Sequence, residues 1–219
     1  MDAGNAHMNA GRFGESERCY VEARRILKEV RGDDYPEVAT ACFQLGQAYE
    51  FMGRYVEAAA VLEESLGILR RTEGERSEVV GASLRMMGRG LSHQGRHKES
   101  LERLEEAHGI LKETVGPEHS KVASVLIAKG ACYQSTGRLE ETRTMFEEAL
   151  RILRISRGDD SQEVATVLCN LGVVFSTLNM LAEARANYEE ALGIHRRLHG
   201  EKHPAVAVAF TNIAIILSK

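Results

Sequence analysis

Two arginines with helical spacing are the clearest candidates for binding chemistry in this sequence. Arg85 and Arg89 are four residues apart, so both guanidinium groups project from one face if the segment is a helix. A planar guanidinium offers paired N–H donors that match the two oxygens of a carboxylate. The pair therefore predicts a site for an acidic group. The alternative is a pair of solvated arginines that balances the charge of Glu50.

Three histidines near the end of the chain form a candidate metal site. His195, His199 and His203 are spaced by four and four residues. Two histidines at i and i+4 can chelate one metal ion from a helical face. However, Gly200 is expected to turn the chain before His203. We therefore favour a packing role for these residues and predict no metal.

The sequence shows no recognisable enzyme signature and no metal-finger spacing. It contains neither a P-loop nor the G-x-S-x-G or H-E-x-x-H motifs. Its cysteines include no C-x-x-C pair, which favours reduced packing residues and a reducing compartment. The acidic residues recur with regular spacing and most of them are expected to face water, unlike a tuned general acid. We therefore predict a protein that is not an enzyme and needs no cofactor.

Charge and hydropathy argue against three further classes of protein. The net charge of −4 argues against a general nucleic-acid binder, which normally presents a basic face. Residues 1–14 have no apolar core of the kind found in signal peptides. No apolar run approaches the roughly 18 residues of a membrane span. We expect a cytoplasmic protein that neither binds nucleic acid nor inserts into a membrane.

A sequence repeat determines where these residues lie. Similar segments begin at residues 10, 52, 94, 136 and 178, so each copy follows the previous one by 42 residues. The second copy reads MGRYVEAAAVLEESLGI. A fixed period of this length is typical of a solenoid. In this register His195 replaces Leu69, Leu111 and Leu153, which again favours packing.

Each repeat contains two predicted helices. In the segment from residue 36 to 53, Val38, Cys42, Leu45 and Tyr49 are spaced as one face of a helix. A second amphipathic stretch, residues 55–72, follows a Gly-Arg turn, and its paired glutamates are expected to face water. Gly46 interrupts the first helix at a cost of roughly 1 kcal/mol, which predicts close approach of a neighbouring helix. Its counterparts are Gly88, Gly130, Gly172 and Ala214.

The boundaries of these helices carry suitable residues. Pro36 and Pro204 are expected in the first helical turn, where a missing N–H costs nothing. Ser77 and Ser161 are predicted N-caps. Left-handed backbone is expected at the turn residues Gly53, Gly95, Gly137 and Asn179.

Stacked helix pairs are the predicted architecture, because no single pair can bury its apolar stripe alone. The predicted fold class is all-α, an α-solenoid of tandem antiparallel helix pairs. We predict one solenoid over residues 1–219, in which the first repeat lacks its leading helix. Its parts are a partial repeat at 1–34, full repeats at 35–76, 77–118, 119–160 and 161–202, and a partial repeat at 203–219.

The small and large residues of the repeat resemble those of a known family. Gly46, Tyr49, Ala58 and Ser65 match the pattern of the tetratricopeptide repeat, although the usual period of that repeat is about 34 residues. The segments GEKHPAVAVAFTNIAIIL and SQEVATVLCNLGVVF resemble the kinesin-light-chain variety. The resemblance covers residues 10–219. It implies a right-handed superhelix in which the first helix of each pair lines a concave groove.

Carrying the family's register over to this chain selects candidate partner-binding residues. Asn170 and Asn212 are one period apart, at a position where family members hold the backbone of an extended peptide. Other repeats carry different residues there, so the row of asparagines along the groove is incomplete. The full set of candidates is Phe43, Gln47, Glu50, Phe51, Arg85, Met86, Arg89, His93, Gln134, Asn170 and Asn212.

The leading hypothesis for function is a non-enzymatic protein–protein interaction module. Its groove is expected to bind a partner segment that carries an acidic residue near an aromatic or aliphatic anchor. One alternative is a structural subunit or spacer docked within a larger assembly. Another is the regulatory repeat array of a multidomain protein. We also expect the chain to belong to a longer array or a larger complex, because apolar residues such as Ile213 and Leu217 would otherwise be exposed.

Overall fold

The computed structural model describes residues 1–218, which form α-helices joined by short turns and contain no strand. The chain divides into two compact units, one from Met1 to Val115 and one from Gly116 onward. The first unit contains α1 (Asp2–Asn9), α2 (Phe13–Arg31), α3 (Pro36–Phe51), α4 (Tyr55–Glu73), α5 (Glu78–His93) and α6 (His97–Thr114). The second contains α7 (Ser120–Ser135), α8 (Leu139–Arg157), α9 (Gln162–Thr177), α10 (Leu181–His199) and α11 (Pro204–Leu217).

Consecutive helices pack as antiparallel pairs within each unit. The pairs are α1 with α2, α3 with α4 and α5 with α6 in the first unit. They are α7 with α8 and α9 with α10 in the second, where α11 packs on α10. The predicted stripes form the core, since Val38, Cys42, Leu45 and Tyr49 are all buried. The all-α class and the tandem pairing are therefore confirmed within both units.

The prediction that the first repeat lacks its leading helix is wrong. Helix α1 has eight residues and packs on α2 in the position of that helix. Gly4 lies against the ring of Tyr20, and Ser16 Oγ donates a hydrogen bond to the Gly4 carbonyl at 3.0 Å. The hydroxyl of Tyr20 donates to Asn5 Oδ1 at 2.6 Å. These contacts allow a short helix to close the first repeat.

The glycine inside each first helix is required by the partner helix. A Cβ atom added at Gly130 would lie 2.5 Å from Phe146 Cε1, and one added at Gly172 would lie 2.6 Å from Tyr188 Cε1. Real Cβ contacts are longer, so any side chain here displaces the aromatic ring. The predicted close approach is confirmed, and the packing gain outweighs the low helix propensity of glycine.

The predicted helix boundaries are also confirmed. Ser77 Oγ accepts a hydrogen bond from Val80 N and Ser161 Oγ accepts one from Val164 N, each at 3.3 Å. The prolines that begin α3 and α11 occupy the first turn of their helices. Asn179 has a φ of 60°, the left-handed value that glycine adopts at the equivalent turns.

The paired glutamates of the second helices differ in their surroundings. Glu63 is exposed as predicted, but Glu64 is half-buried and receives hydrogen bonds from Lys28 Nζ at 2.6 Å and from Arg24. The prediction of water-facing pairs is therefore wrong for Glu64, because the preceding repeat supplies cations to it, whereas the equivalent Glu190 is exposed as predicted. The equivalent pairs are Arg70–Glu106 at 2.5 Å and Arg154–Glu190 at 2.6 Å.

Candidate functional site

The first helices of the first unit enclose a cavity of about 530 Å³. It lies between the C-terminal parts of α1 and α3 and the middle of α5. The walls combine apolar and charged side chains, a composition typical of ligand sites. Six residues predicted from the sequence line it: Gln47, Glu50, Phe51, Arg85, Met86 and Arg89.

Arg85 is the charged residue of the cavity that has no partner. Its side chain is half-buried, and its guanidinium makes no hydrogen bond or ion pair with any group in residues 1–218. Burial lowers the pKa of Arg85 from its ordinary value, the charge of Arg89 lowers it further, and Glu50 opposes both effects. The N–H groups of this half-buried guanidinium are therefore available to pair with a bound anion.

Glu50 lies beside the two arginines and is almost fully enclosed. Its side chain is 11% exposed, and its Oε1 atom is buried with no hydrogen-bond partner among the described residues. Burial raises the pKa of Glu50, and the nearby charges of Arg89 and Arg85 oppose that effect. Glu50 is therefore an exception among acidic residues that mostly face water, because α5 of the next repeat packs over it.

The two arginines relate differently to Glu50. The Nε atom of the more exposed Arg89 lies 4.0 Å from Glu50 Oε1. Arg85 makes no ion pair with this carboxylate. The alternative of two solvated arginines that balance Glu50 thus describes Arg89 in part. The charge of Glu50 also acts on Arg85, although these two side chains form no ion pair.

Stacked aromatic rings lie at the ends of the first helices in this unit. Phe13 and Phe51 stack with ring centroids 4.9 Å apart and an interplanar angle of 3°. The equivalent positions in the next repeat hold Tyr55 and His93, whose ring centroids are 4.5 Å apart. The predicted residue His93 is exposed and lies in this second stack, outside the cavity.

The other predicted residues do not line the cavity. Phe43 is half-buried on α3. Gln134, Asn170 and Asn212 belong to the second unit, on α7, α9 and α11, and are half-buried. Their side-chain amides make no hydrogen bond within the part of the chain that the structure describes.

Sequence reasoning missed the part of the cavity wall that comes from the first repeat. Met8, Asn9, Gly11 and Phe13 contribute this wall. They were missed because the first repeat was expected to lack a leading helix. A signal was present, since Gly4 lies one period before Gly46.

His195 packs in the core as its repeat position predicts, whereas His199 and His203 are exposed. His195 is 5% exposed, and burial lowers its pKa. His199 Nε2 contacts Gln162 Oε1 at 2.8 Å, and His203 Nδ1 accepts a hydrogen bond from Ala205 N at 3.2 Å. Over residues 1–218, no three His, Cys, Asp or Glu side chains are arranged to hold a metal ion.

The four cysteines form no disulfide, and two of them lie in the core. Cys42 and Cys132 are buried and unbridged, as expected for packing residues. Burial raises the pKa of Cys42 to about 12, so this residue remains a thiol at neutral pH.

No helix of the described chain is both long enough and apolar enough to span a bilayer.

Solved structures with the same architecture share little sequence with this chain. BtubC (BKLC) from P. vanneervenii is 21% identical, with a TM-score of 0.78 over 93% of this chain and 81% of that one. A putative kinesin light chain from Podosopora anserina with TPR-like repeats is 19% identical, with a TM-score of 0.72 over 90% and 94%. The Rap conjugation gene regulator of the plasmid pLS20, in complex with a Phr peptide, is 15% identical, with a TM-score of 0.76 over 99% and 60%. At these identities the likeness shows the fold alone.

Sequence comparison identifies the repeat directly. No protein with a curated description matches the chain significantly. The family model described as tetratricopeptide repeat matches residues 1–71, 49–113, 79–155 and 121–194. Together these matches span most of the chain, and the kinesin-light-chain-like structure agrees with the predicted resemblance. The chain therefore belongs to the tetratricopeptide repeat family.

Proposed function

We propose that this protein is a non-enzymatic protein–protein interaction module, and that the cavity of the first unit receives an acidic residue of a partner segment. The observation that carries the proposal is the half-buried guanidinium of Arg85, which has no acceptor within residues 1–218. A carboxylate can accept two parallel hydrogen bonds from such a group. The ligand would thereby satisfy donors that the protein itself leaves unpaired.

The apolar side of the cavity supports an anchor residue next to the acidic one. Phe51 is 66% exposed and rests on Phe13, while Met8 and Met86 line the same space. Methionine and aromatic side chains adapt well to apolar ligand groups. The ligand class is therefore a peptide segment with an aliphatic or aromatic residue close to Asp or Glu.

The second unit offers groups suited to a peptide backbone. The amides of Gln134, Asn170 and Asn212 have no side-chain partners within the described residues. A primary amide can donate to and accept from a peptide bond. The pLS20 regulator, which has the same fold, is in complex with a peptide, and this also supports a peptide ligand.

A peptide array tests the proposal directly. Each short peptide carries one leucine or phenylalanine near one variable residue, which is Glu, Gln or Lys. We expect the protein to retain the Glu peptides in preference to the matched Gln and Lys peptides. The double variant Arg85→Glu, Arg89→Glu should weaken binding of the Glu peptides by at least about tenfold, because the guanidinium donors are replaced by like charges.

A matched control separates the site from the net charge of the protein. The double variant Lys98→Glu, Lys202→Glu changes the net charge by the same amount at two exposed positions outside the cavity. It should bind the Glu peptides as the wild type does. The proposal is wrong if Glu and Gln peptides bind equally, or if both double variants lose binding alike.

A second candidate function is favoured by the exposed side chains of α11. Val208, Phe210, Ile215 and Leu217 are large apolar residues that solvent reaches. Exposed apolar patches often mark surfaces that dock on another protein. As a structural subunit the chain would self-associate when isolated. Light scattering that shows a stable monomer at high concentration would favour the peptide receptor instead.

A further inference from the structure

The arginines alone do not determine which anion the cavity accepts. A guanidinium pairs with phosphate as readily as with carboxylate. The surrounding charge must therefore select between a singly charged carboxylate and a phosphate that carries nearly two charges. Glu50 is the acidic residue among the side chains that line the cavity.

The three charged side chains of the cavity are not required by the repeat. Glu50, Arg85 and Arg89 come from three different repeat positions on two helices. The positions equivalent to Glu50 hold Ser92, Gln134, Ser176 and Ser218, and those equivalent to Arg85 hold Phe43, Ile127, Cys169 and Thr211. Helix stacking elsewhere in the chain proceeds without these charges, so they are local to the cavity.

In this geometry Glu50 acts on the ligand through its charge more than through direct contact. Its Oε1 atom is buried, so an incoming group cannot reach that oxygen. The carboxylate is nevertheless close enough to Arg89 for Nε and Oε1 to lie 4.0 Å apart. With both arginines and Glu50 ionised, these three side chains carry a net charge of one positive unit.

We propose that Glu50 sets the charge selectivity of the site, so that the cavity accepts the carboxylate of Asp or Glu and discriminates against phosphorylated residues. This inference rests on the proposed function. Removing a phosphate dianion from water costs more than removing a carboxylate, and Glu50 lowers the positive potential that would offset this cost. The enclosed position of the Glu50 carboxylate limits screening of its charge by water.

Three peptides that differ at one residue test this selectivity. The variable residue is Glu, phosphoserine or Gln, and Kd is measured for the wild type and for Glu50→Gln. We expect the wild type to prefer the Glu peptide. In Glu50→Gln the phosphoserine peptide should gain at least about tenfold more affinity than the Glu peptide gains. Glu57→Gln, on the exposed face of α4, removes the same charge outside the cavity and should leave the ratio of the two Kd values unchanged.

The outcomes distinguish this inference from the proposed function. If the Glu peptide does not bind, or binds independently of Arg85, both are wrong. If binding requires Arg85 but Glu50→Gln leaves the selectivity ratio unchanged, only the role of Glu50 is wrong. The same holds if Glu50→Gln loses affinity for every peptide. Glu50→Ser, which installs the residue found at equivalent positions in other repeats, should change the ratio in the same direction as Glu50→Gln.

Discussion

Glu50 Oε1 and Arg89 Nε lie 4.0 Å apart, at the limit of ion-pair contact, although the glutamate is almost fully enclosed. At this distance neither group satisfies the other with a hydrogen bond. Arg85, one turn earlier on α5, has no partner within residues 1–218. The cavity therefore holds charges that are close together but incompletely paired. This state is typical of binding sites more than of structural ion pairs.

Replacing Glu50 should stabilise the fold at neutral pH. Burial raises the pKa of Glu50 above its ordinary value of 4.5, so the ionised form is disfavoured in the folded state. Ionisation of Glu50 therefore costs stability, and this cost disappears as the pH falls through the folded pKa and then below 4.5. We expect Glu50→Gln to have the higher free energy of unfolding at neutral pH and no advantage at the acidic end. Urea unfolding of both proteins over this pH range measures the difference in the free energy of unfolding. A stability advantage of Glu50→Gln that grows toward acid pH would contradict the raised pKa of Glu50.

Two glycines of α5 should respond oppositely to alanine. A Cβ atom at Gly88 would lie 2.6 Å from Leu104 Cγ, whereas one at Gly90 meets no atom within 4 Å. Alanine at Gly90 should stabilise by up to about 1 kcal/mol through helix propensity. Alanine at Gly88 should destabilise by about 1–3 kcal/mol, the usual cost of overpacking. Denaturant midpoints of the two variants give the comparison, and similar shifts in both would rule out the proposed packing role of Gly88.

His195 should be replaceable by leucine with a gain in stability. Its Nδ1 atom is buried without a partner in the described chain, which costs about 1–3 kcal/mol. Burial, with His199 and His203, lowers its pKa from 6.5, so the unfolded chain binds the proton first as the pH falls. His195→Leu should therefore be more stable at neutral pH, by an advantage that widens below 6.5. Thermal unfolding at neutral and mildly acidic pH tests this, and a destabilised leucine variant would show that the imidazole has a partner in solution.

Substitutions of Asn179 should change the stability of the fold, because this residue has a left-handed backbone conformation. Its φ of 60° is tolerated by glycine, which lacks a Cβ atom, and by asparagine, whose short polar side chain can hydrogen-bond locally, but it is costly for other residues. Asn179→Gly should keep or slightly raise stability, whereas Asn179→Ala should lose about 1 kcal/mol. Chemical denaturation of both variants checks the order. An alanine variant as stable as the glycine variant would mean that the turn relaxes to another conformation.

The repeat made most of the fold predictable, because each helix face, glycine and cap recurs and reinforces the assignment. Gly130 against Phe146 and the turn at Asn179 follow from single positions read in register. Helix α1 was not predicted, since its segment is short and keeps little of the repeat pattern beyond Gly4. The burial of Glu50 could not be predicted either. It depends on how α5 of the next repeat packs over α3, and the equivalent positions in the later repeats hold polar neutral residues.

A double-mutant cycle between Arg85 and the acidic residue of a bound peptide tests the central claim most directly. Calorimetry gives the four affinities of wild type and Arg85→Ala for a Glu peptide and for its Gln counterpart. If the guanidinium holds the carboxylate, the two changes should be coupled by about 1–3 kcal/mol, because residues in contact do not act independently. Losses that simply add, with no coupling energy, would contradict the claim that Arg85 recognises the acidic residue of the ligand.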